Sequence, residues 1–341
     1  MDEGAGADLQ SALEEVADST GFSGVVRVDR SGVLLVDAAF GLADRRHDDP
    51  MTTGTRLGIA SGAKGVTAAT VLALVADGSL ALDTRVRDVL GADLPLVDDA
   101  VTVEHLLAHR SGIGDYLDEE ALPEVTDHVM AVPVHALATT EDYLRVLDGH
   151  PQAFEPGSAF AYNNSGFVVL ALVAGRVAGM PFEDLVVERV CRPAAMADTA
   201  FLRSDELPQG VATGYLWHLR PRTNVLHLPV LGSGDGGLYS TTADVHRFWR
   251  ALFTGELVPL ELVADAVRAR SSTDAGGGYG LGFWLGPSDD VVGLTGSDAG
   301  VSFRSAHHRG SGVTWTVVSN TSEGAWPLAR LVGERLGAPQ R

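Results

Sequence analysis

Period-two alternation near both ends of the chain, helical apolar spacing through its middle, and a helical pattern at each terminus predict an α+β fold. A single antiparallel sheet built from both termini would bury both groups of strands, with the terminal helices flanking it and a mainly helical lobe inserted. At 341 residues the chain suits one large domain or two intimately packed lobes. The expected organisation is one domain over 1–341, in which 1–66 and 275–341 form an α/β lobe and 67–274 the mainly helical lobe.

Residues 8–18 read as an amphipathic helix. Gly-punctuated strand patterns at 22–29 and 33–40 predict a hairpin around Arg30-Ser31-Gly32. A short strand at 56–59 runs into Ser61, and the Ala- and Val-rich stretch from Ser61 to Asp77, apolar on all sides, predicts a buried helix ended by Gly78. Helices are expected at 103–108, 141–147, 165–178, 181–190 and 242–252, linked by Pro/Gly/Asp loops. The period then returns to two, predicting strands at 279–285, 291–294, 301–306 and 313–319 before a closing helix at 324–336. There is no internal repeat or low-complexity segment.

The net charge of −20, from 45 acids against 25 bases, argues against nucleic acid or an anionic membrane as partner. A cationic substrate is permitted by it, not implied. Cys191 is the sole cysteine, so no intramolecular disulfide forms, and its place at the end of an apolar helical pattern reads as core packing. The first residues, Met1-Asp2-Glu3-Gly4-Ala5-Gly6, lack the basic and apolar regions of a secretory leader, and no stretch reaches the ~18 apolar residues of a membrane span. A cytoplasmic location is the expectation, although a secreted chain trimmed of its leader would look the same. His105 and His109 have the spacing of two metal ligands on a helix but lack the internal Glu of H-E-x-x-H, so no metal is expected. His307-His308 reads as surface.

The informative oddity is Lys64. Of 25 basic residues it is the single lysine, and everywhere else the chain uses arginine. Only a lysine can lose its proton in a protein, because the guanidinium stays charged. Lys64 follows Ser61 by three positions in Ser61-Gly62-Ala63-Lys64, the S-x-x-K spacing, which puts both side chains on one helix face. At the opening of the helix Ser61 is either an N-cap or a nucleophile favoured by the helix dipole. Tyr162-Asn163-Asn164, about 100 residues on, supplies a hydroxyl able to shuttle a proton and an amide able to orient Lys64 and substrate. The same asparagines read equally as a turn and helix cap, and the two readings are compatible.

With these residues in place the chain resembles the β-lactamase-related serine hydrolases: class C β-lactamases, D-Ala-D-Ala carboxypeptidases, D-aminopeptidases and the esterases sharing their S-x-x-K. Residues 58–64 look like that family's nucleophile segment, 106–113 like its "LLTHTSGL" stretch, 156–167 like the segment carrying the tyrosine, and 236–244 like its "GGLxSTxxD" turn and helix start. The likeness covers nearly the whole chain and implies the β-lactamase/transpeptidase-like fold. It also implies a catalytic domain that needs no cofactor, acting through an acyl-enzyme on Ser61 with Lys64 and Tyr162 moving protons and Asn164 in the substrate site. Backbone N–H groups of Ser61 and Ser297 would form the oxyanion hole.

The family's third motif, Lys-Thr-Gly or His-x-Gly, aligns with Leu294-Thr295-Gly296. Leucine removes the cation that in relatives helps hold a substrate carboxylate, and directs the expectation toward esters or uncharged amides over β-lactams and peptide carboxylates. Leu294, Thr295, Gly296 and Ser297 are therefore expected beside the substrate, and Arg304 on the next strand stands either as a replacement cation or as a structural arginine. The expected function is an esterase- or amidase-like serine hydrolase acting on a small ester, amide or peptide. The alternatives are an acyltransferase using the same acyl-enzyme, a D-amino-acid peptidase or β-lactamase, and a catalytically silent penicillin-binding-like sensor.

Overall fold

The computed structural model describes residues 3–117, 124–273, 276–288 and 290–336, and the lobe boundary expected at 274–275 lies outside them. Helix α1 (Glu3–Thr20) leads into the hairpin β1 (Gly24–Arg30) and β2 (Val33–Phe40). Two-residue strand β3 (Leu57–Gly58) precedes α2 (Ala63–Ala76), followed by α3 (Val103–Leu107), α4 (Asn164–Ala178) and α5 (Phe182–Val186). Then come β4 (Ala200–Phe201), β5 (Leu238–Ser240), α6 (Thr242–Phe253), β6 (Ser271–Ser272), β7 (Gly278–Tyr279) and β8 (Trp284–Leu285). The chain closes with β9 (Val291–Asp298), β10 (Val301–His308), β11 (Val313–Ser319) and α7 (Ala325–Leu336).

The main sheet has eight strands in the order β2-β1-β11-β10-β9-β8-β7-β6, antiparallel throughout. The N-terminal hairpin joins the C-terminal strands through β1–β11, where Val26 faces Val317 and Val28 faces Trp315. One sheet face packs on α1 and α7: Leu9, Leu13, Val28, Trp315, Val317, Leu328 and Val332 form one buried cluster. The other face meets α2, α4 and α6 in a second cluster that holds Val66, Val71, Phe167, Trp249, Phe283 and Phe303. A fully buried side chain of this size contributes about 1.5–3 kcal/mol. Cys191 lies in this second cluster as core packing, its thiol pushed up to about 12 by burial.

Several elements depart from the sequence reading for identifiable reasons. The strand expected over 279–285 is broken into β7 and β8 by Gly282, whose φ of +90° turns the chain back where a Cβ would lie 2.3 Å from Ala68 Cβ. The helix expected at 141–147 is a tight 3₁₀ turn (Thr140–Tyr143) running into one helical turn (Leu144–Leu147), and the helix at 181–190 loosens into a π turn after α5. Helix α2 starts two residues later than its apolar pattern, because Ala60–Gly62 form a 3₁₀ turn first. His307 is not surface: its ring stacks on Phe253 at 4.8 Å, its Nδ1 meets Thr314 Oγ1 at 2.8 Å, and burial pushes its pKa down to about 4. Among the described residues no single helix is long and apolar enough to cross a membrane.

Candidate active site

Strand β3 delivers the chain to Ser61 through a strained residue. Ala60 has φ +44°, a left-handed conformation that costs an alanine about 1–2 kcal/mol, and it is buried. Ile59 N–H donates to Leu238 of the small sheet β3-β5-β4, which pins the strand on one side of the strain. Ser61 then lies in the 3₁₀ turn, and its side chain makes no capping bond. Instead the first turn of α2 presents Lys64, whose Nζ is 2.8 Å from Ser61 Oγ.

Lys64 is 2% exposed and is held from two distant parts of the chain. Its Nζ donates to Asn164 Oδ1 at 2.8 Å and to the carbonyl of Asp235 at 2.8 Å. The Asn164 amide is oriented by its other end, where Nδ2 donates to the Leu117 carbonyl at 3.0 Å. The two asparagines divide the roles left open by sequence. Asn163 is the N-cap of α4, its Oδ1 accepting from Gly166 N–H, while Asn164 occupies the first helical position and faces Lys64.

The segment carrying Tyr162 is anchored by residues that sequence reasoning passed over. Asn163 N–H donates to Nδ1 of His109, a buried histidine in the left-handed region (φ +53°). Burial, with Lys64 as the nearby charge, holds His109 neutral by lowering its pKa well below the usual range. Its ring lies 4.5 Å from the Tyr162 ring, which stacks on Trp284 from β8 at 6.1 Å. Tyr162 in turn covers Lys64, with Nζ 4.9 Å from the ring centroid. Asp115 accepts from the N–H groups of Asn164 (2.8 Å) and Ser165 (2.9 Å), fastening a carboxylate to the start of α4. Of the histidine pair, His105 completes a capping box with Thr102, and His109 Nδ1 accepts from Asn163 N–H.

Strand β9 closes the other side. A Cβ on Gly296 would lie 2.3 Å from the Ile59 carbonyl and 2.9 Å from Ser61 N, so only glycine lets this strand run against the reactive turn. Strand β8 pairs with β9 at Val292 and Gly293, short of this point, and the Ala60–Gly62 turn packs on β9. Ser61, Asn164 and Ser297 line an open cleft.

The expectation for Leu294 is corrected, and of the two readings of Arg304 its place in the sheet favours the structural one. Leu294 is not in the cleft: it is 4% exposed in the core, its Cδ2 lying 2.5 Å from where a Gly65 Cβ would sit. An apolar side chain at this position turns under α2, and the glycine after Lys64 makes room for it. Arg304 pairs in register with Thr295 on β9 and Val317 on β11, on the sheet face that carries Ala306 rather than the face of Leu294 and Phe303. Neither Arg304 nor Thr295 lines the cleft.

A family model described as Beta-lactamase matches residues 9–335. The chain belongs to the beta-lactamase family. It is 31% identical over 298 residues to Esterase EstB of Burkholderia gladioli, covering 78% of this chain and 75% of that protein. It is 28% identical over 265 residues to Penicillin-binding protein 4* of Bacillus subtilis, covering 73% of this chain but only 56% of that relative. The crystal structure of a penicillin binding protein from Bacillus halodurans superposes with a TM-score of 0.88 at 33% identity, covering 94% of this chain and 99% of that one. The mixed helix and antiparallel-sheet fold of the β-lactamase/transpeptidase kind is thereby shared.

Proposed function

We propose that this beta-lactamase family chain is a serine hydrolase that cleaves esters or uncharged amides through an acyl-enzyme on Ser61. The observation that carries the reading is the placement of Lys64 Nζ, 2.8 Å from Ser61 Oγ and equally close to Asn164 Oδ1 and the Asp235 carbonyl. Those last two oxygens can only accept. A neutral amine gives its two N–H groups to them and keeps its lone pair for a group that can donate, here the Ser61 hydroxyl.

Ser61 Oγ bonds to the substrate carbonyl carbon as its proton passes to Nζ. The carbonyl oxygen becomes an oxyanion held by the N–H groups of Ser61 and Ser297, each such donor typically worth about 2.7–4 kcal/mol. Collapse breaks the bond to the leaving group, which takes a proton delivered through Lys64 and Tyr162. Water then adds to the acyl carbon, its proton returning by the same groups, and Ser61 is released. The relatives named Esterase EstB and D-aminopeptidase, the latter from Brucella anthropi and 32% identical over 229 residues, support ester and amide chemistry.

Mass spectrometry of the intact protein and its peptides after exposure to an activated ester, a fluorophosphonate and a penicillin tests the reading. Ester turnover with a fluorophosphonate adduct on Ser61 is expected. A stable adduct with no turnover of ester would favour a sensor, and no adduct from any probe would rule out an accessible nucleophile.

A further inference from the structure

The cleft that begins at Ser61 continues along a wall made by three segments that supply none of the reactive groups. His128 and Met130 line it from the first, Leu202 and Ser204 from the second, and His227 and Leu228 from the third. The segments are fastened to one another through their backbones. Ser204 N–H donates to the Val230 carbonyl at 2.8 Å, Val230 N–H to the Val134 carbonyl at 3.0 Å, and Leu231 N–H to the Leu137 carbonyl at 3.1 Å. Tyr143 Oη, from the 3₁₀ turn, donates to the Leu231 carbonyl at 2.8 Å. The wall is thus held in shape by the chain's own hydrogen bonds.

Each segment brings to this wall one buried polar atom with no hydrogen-bond partner: His128 Nε2, Ser204 Oγ and His227 Nδ1. Leaving such a group unpaired costs about 1–3 kcal/mol, which a ligand that bonds it recovers. The three groups are chemically alike. A hydroxyl both donates and accepts, and a neutral imidazole nitrogen does either according to its tautomer. Burial lowers the pKa of both histidines and so keeps the rings neutral. Their natural counterpart is another group that both donates and accepts, a hydroxyl, whereas an ammonium can only donate and a carboxylate only accept. Neither lysine nor arginine is among the lining residues to hold an anion. Half-buried Tyr116 and Tyr239, with Met130, Leu202 and Leu228, give apolar surface between the polar points. A carbohydrate presents the same alternation, with hydroxyls on its edge and C–H bonds on its faces. Such a group enters an ester as its alcohol part, because acyl chains with γ- or δ-hydroxyls close to lactones.

We infer that the substrate is an O-acyl ester of a sugar or polyol, whose free hydroxyls are bound by His128, Ser204 and His227. The inference rests on the acyl-enzyme reading above and names its leaving group. The bond between the acyl carbon and the sugar oxygen breaks, the acyl group passes to Ser61 Oγ, and the sugar oxygen leaves with the proton that Ser61 gave up. His128, Ser204 and His227 act on specificity and take no part in bond making.

The test uses the full chain and two pairs of acetate esters matched in skeleton, with release of acetate as the readout. Methyl 6-O-acetyl-α-D-glucopyranoside is set against cyclohexylmethyl acetate, and 2,3-dihydroxypropyl acetate against propyl acetate. In at least one pair the hydroxylated ester should exceed its plain partner in kcat/KM by about 10-fold or more after correction for spontaneous hydrolysis. S204A, H128F and H227F each remove one hydrogen-bonding group, and each should lower the hydroxylated-to-plain ratio by about 5-fold. That ratio is read within each variant, so a general loss of activity does not imitate the effect. p-Nitrophenyl acetate reports on the acyl-enzyme alone. Its turnover through Ser61, with plain esters cleaved as fast as hydroxylated ones in both pairs, would overturn the inference while leaving the acyl-enzyme intact. A preference that survives all three substitutions would overturn the assignment to His128, Ser204 and His227. Failure of p-nitrophenyl acetate to acylate Ser61 would remove the underlying reading and the inference together.

Discussion

On one side of Ser61 stands a polar wall of side chains, and on the other a wall of backbone. Lys64 on α2 is fixed by Asn164, from a helix that begins about 100 residues later, and by the main chain of Asp235. Strand β9 contributes Gly296 at close approach and Ser297 to the cleft lining, while its motif side chain Leu294 is given to the core. The contrast separates two demands. Moving a proton requires a particular functional group held by obligate acceptors, whereas stabilising an oxyanion requires only N–H groups in the right place. The first wall therefore cannot change its residue types, and the second can change its side chains provided that the strand still reaches the serine.

Substitutions on the two walls should break different things. The largest effect is expected on the polar wall from Asn164→Asp. A carboxylate 2.8 Å from Nζ would hold Lys64 as the ammonium, and kcat/KM should fall by about 10³-fold with the fold intact by circular dichroism. An activity within a few-fold of wild type would mean that Lys64 is not the base. On the backbone wall, Gly296→Ala should cost about 10²-fold in kcat/KM, because its Cβ must push β9 away from Ile59 and Ser61. A high-resolution structure of that variant would show the strand displaced.

Leu294→Lys probes the same strand from beneath. If Leu294 were a cleft residue, the new amine would be tolerated and would improve binding of carboxylate-bearing substrates. Its buried packing on Gly65 predicts instead a loss of about 3 kcal/mol in stability by denaturant unfolding.

The smallest effect lies away from both walls. The folded-state pKa of His307 is lowered to about 4 from 6.5, so the unfolded chain binds its proton first as pH falls. Stability from this group is present above pH 6.5 and is lost progressively as pH drops toward 4, the loss reaching about 2 kcal/mol at pH 4.5 after allowing for partial exposure. His307→Phe should accordingly lose about that much less stability than wild type between pH 7.5 and 4.5.

The polar wall was the more legible one in sequence. A lone lysine in S-x-x-K and a downstream Y-x-N pointed to Ser61, Lys64, Tyr162 and Asn164, and the fold brings these four side chains together around Lys64 Nζ. The bounds of the antiparallel strands at 33–40 and 313–319 were legible to the residue, because Gly and Ser/Asn turns flank runs of β-branched and other apolar residues. The backbone wall was only half legible. Gly296 pointed to close approach, but whether Leu294 faced the cleft or α2 depended on the strand's register against Gly65, which no local pattern encodes. Asp235 and His109 were missed because their roles arise from contacts made by distant segments. The available signals were a charged residue within the Gly/Ser run at 232–237 and a histidine directly before Arg110-Ser111-Gly112. Breaks at Gly282 and in the Thr140–Tyr143 turn escaped detection for the same reason, tertiary packing having overridden local spacing.

Lys64→Arg tests the central claim most directly, through the single-turnover rate at which an activated ester acylates Ser61. Arginine keeps the positive charge but cannot become a base, so the account predicts a fall of at least about 10³-fold in the acylation rate, with the protein still folded. Acylation of Ser61 in that variant at a rate near wild type would contradict the assignment of Lys64 as the group that takes the serine's proton.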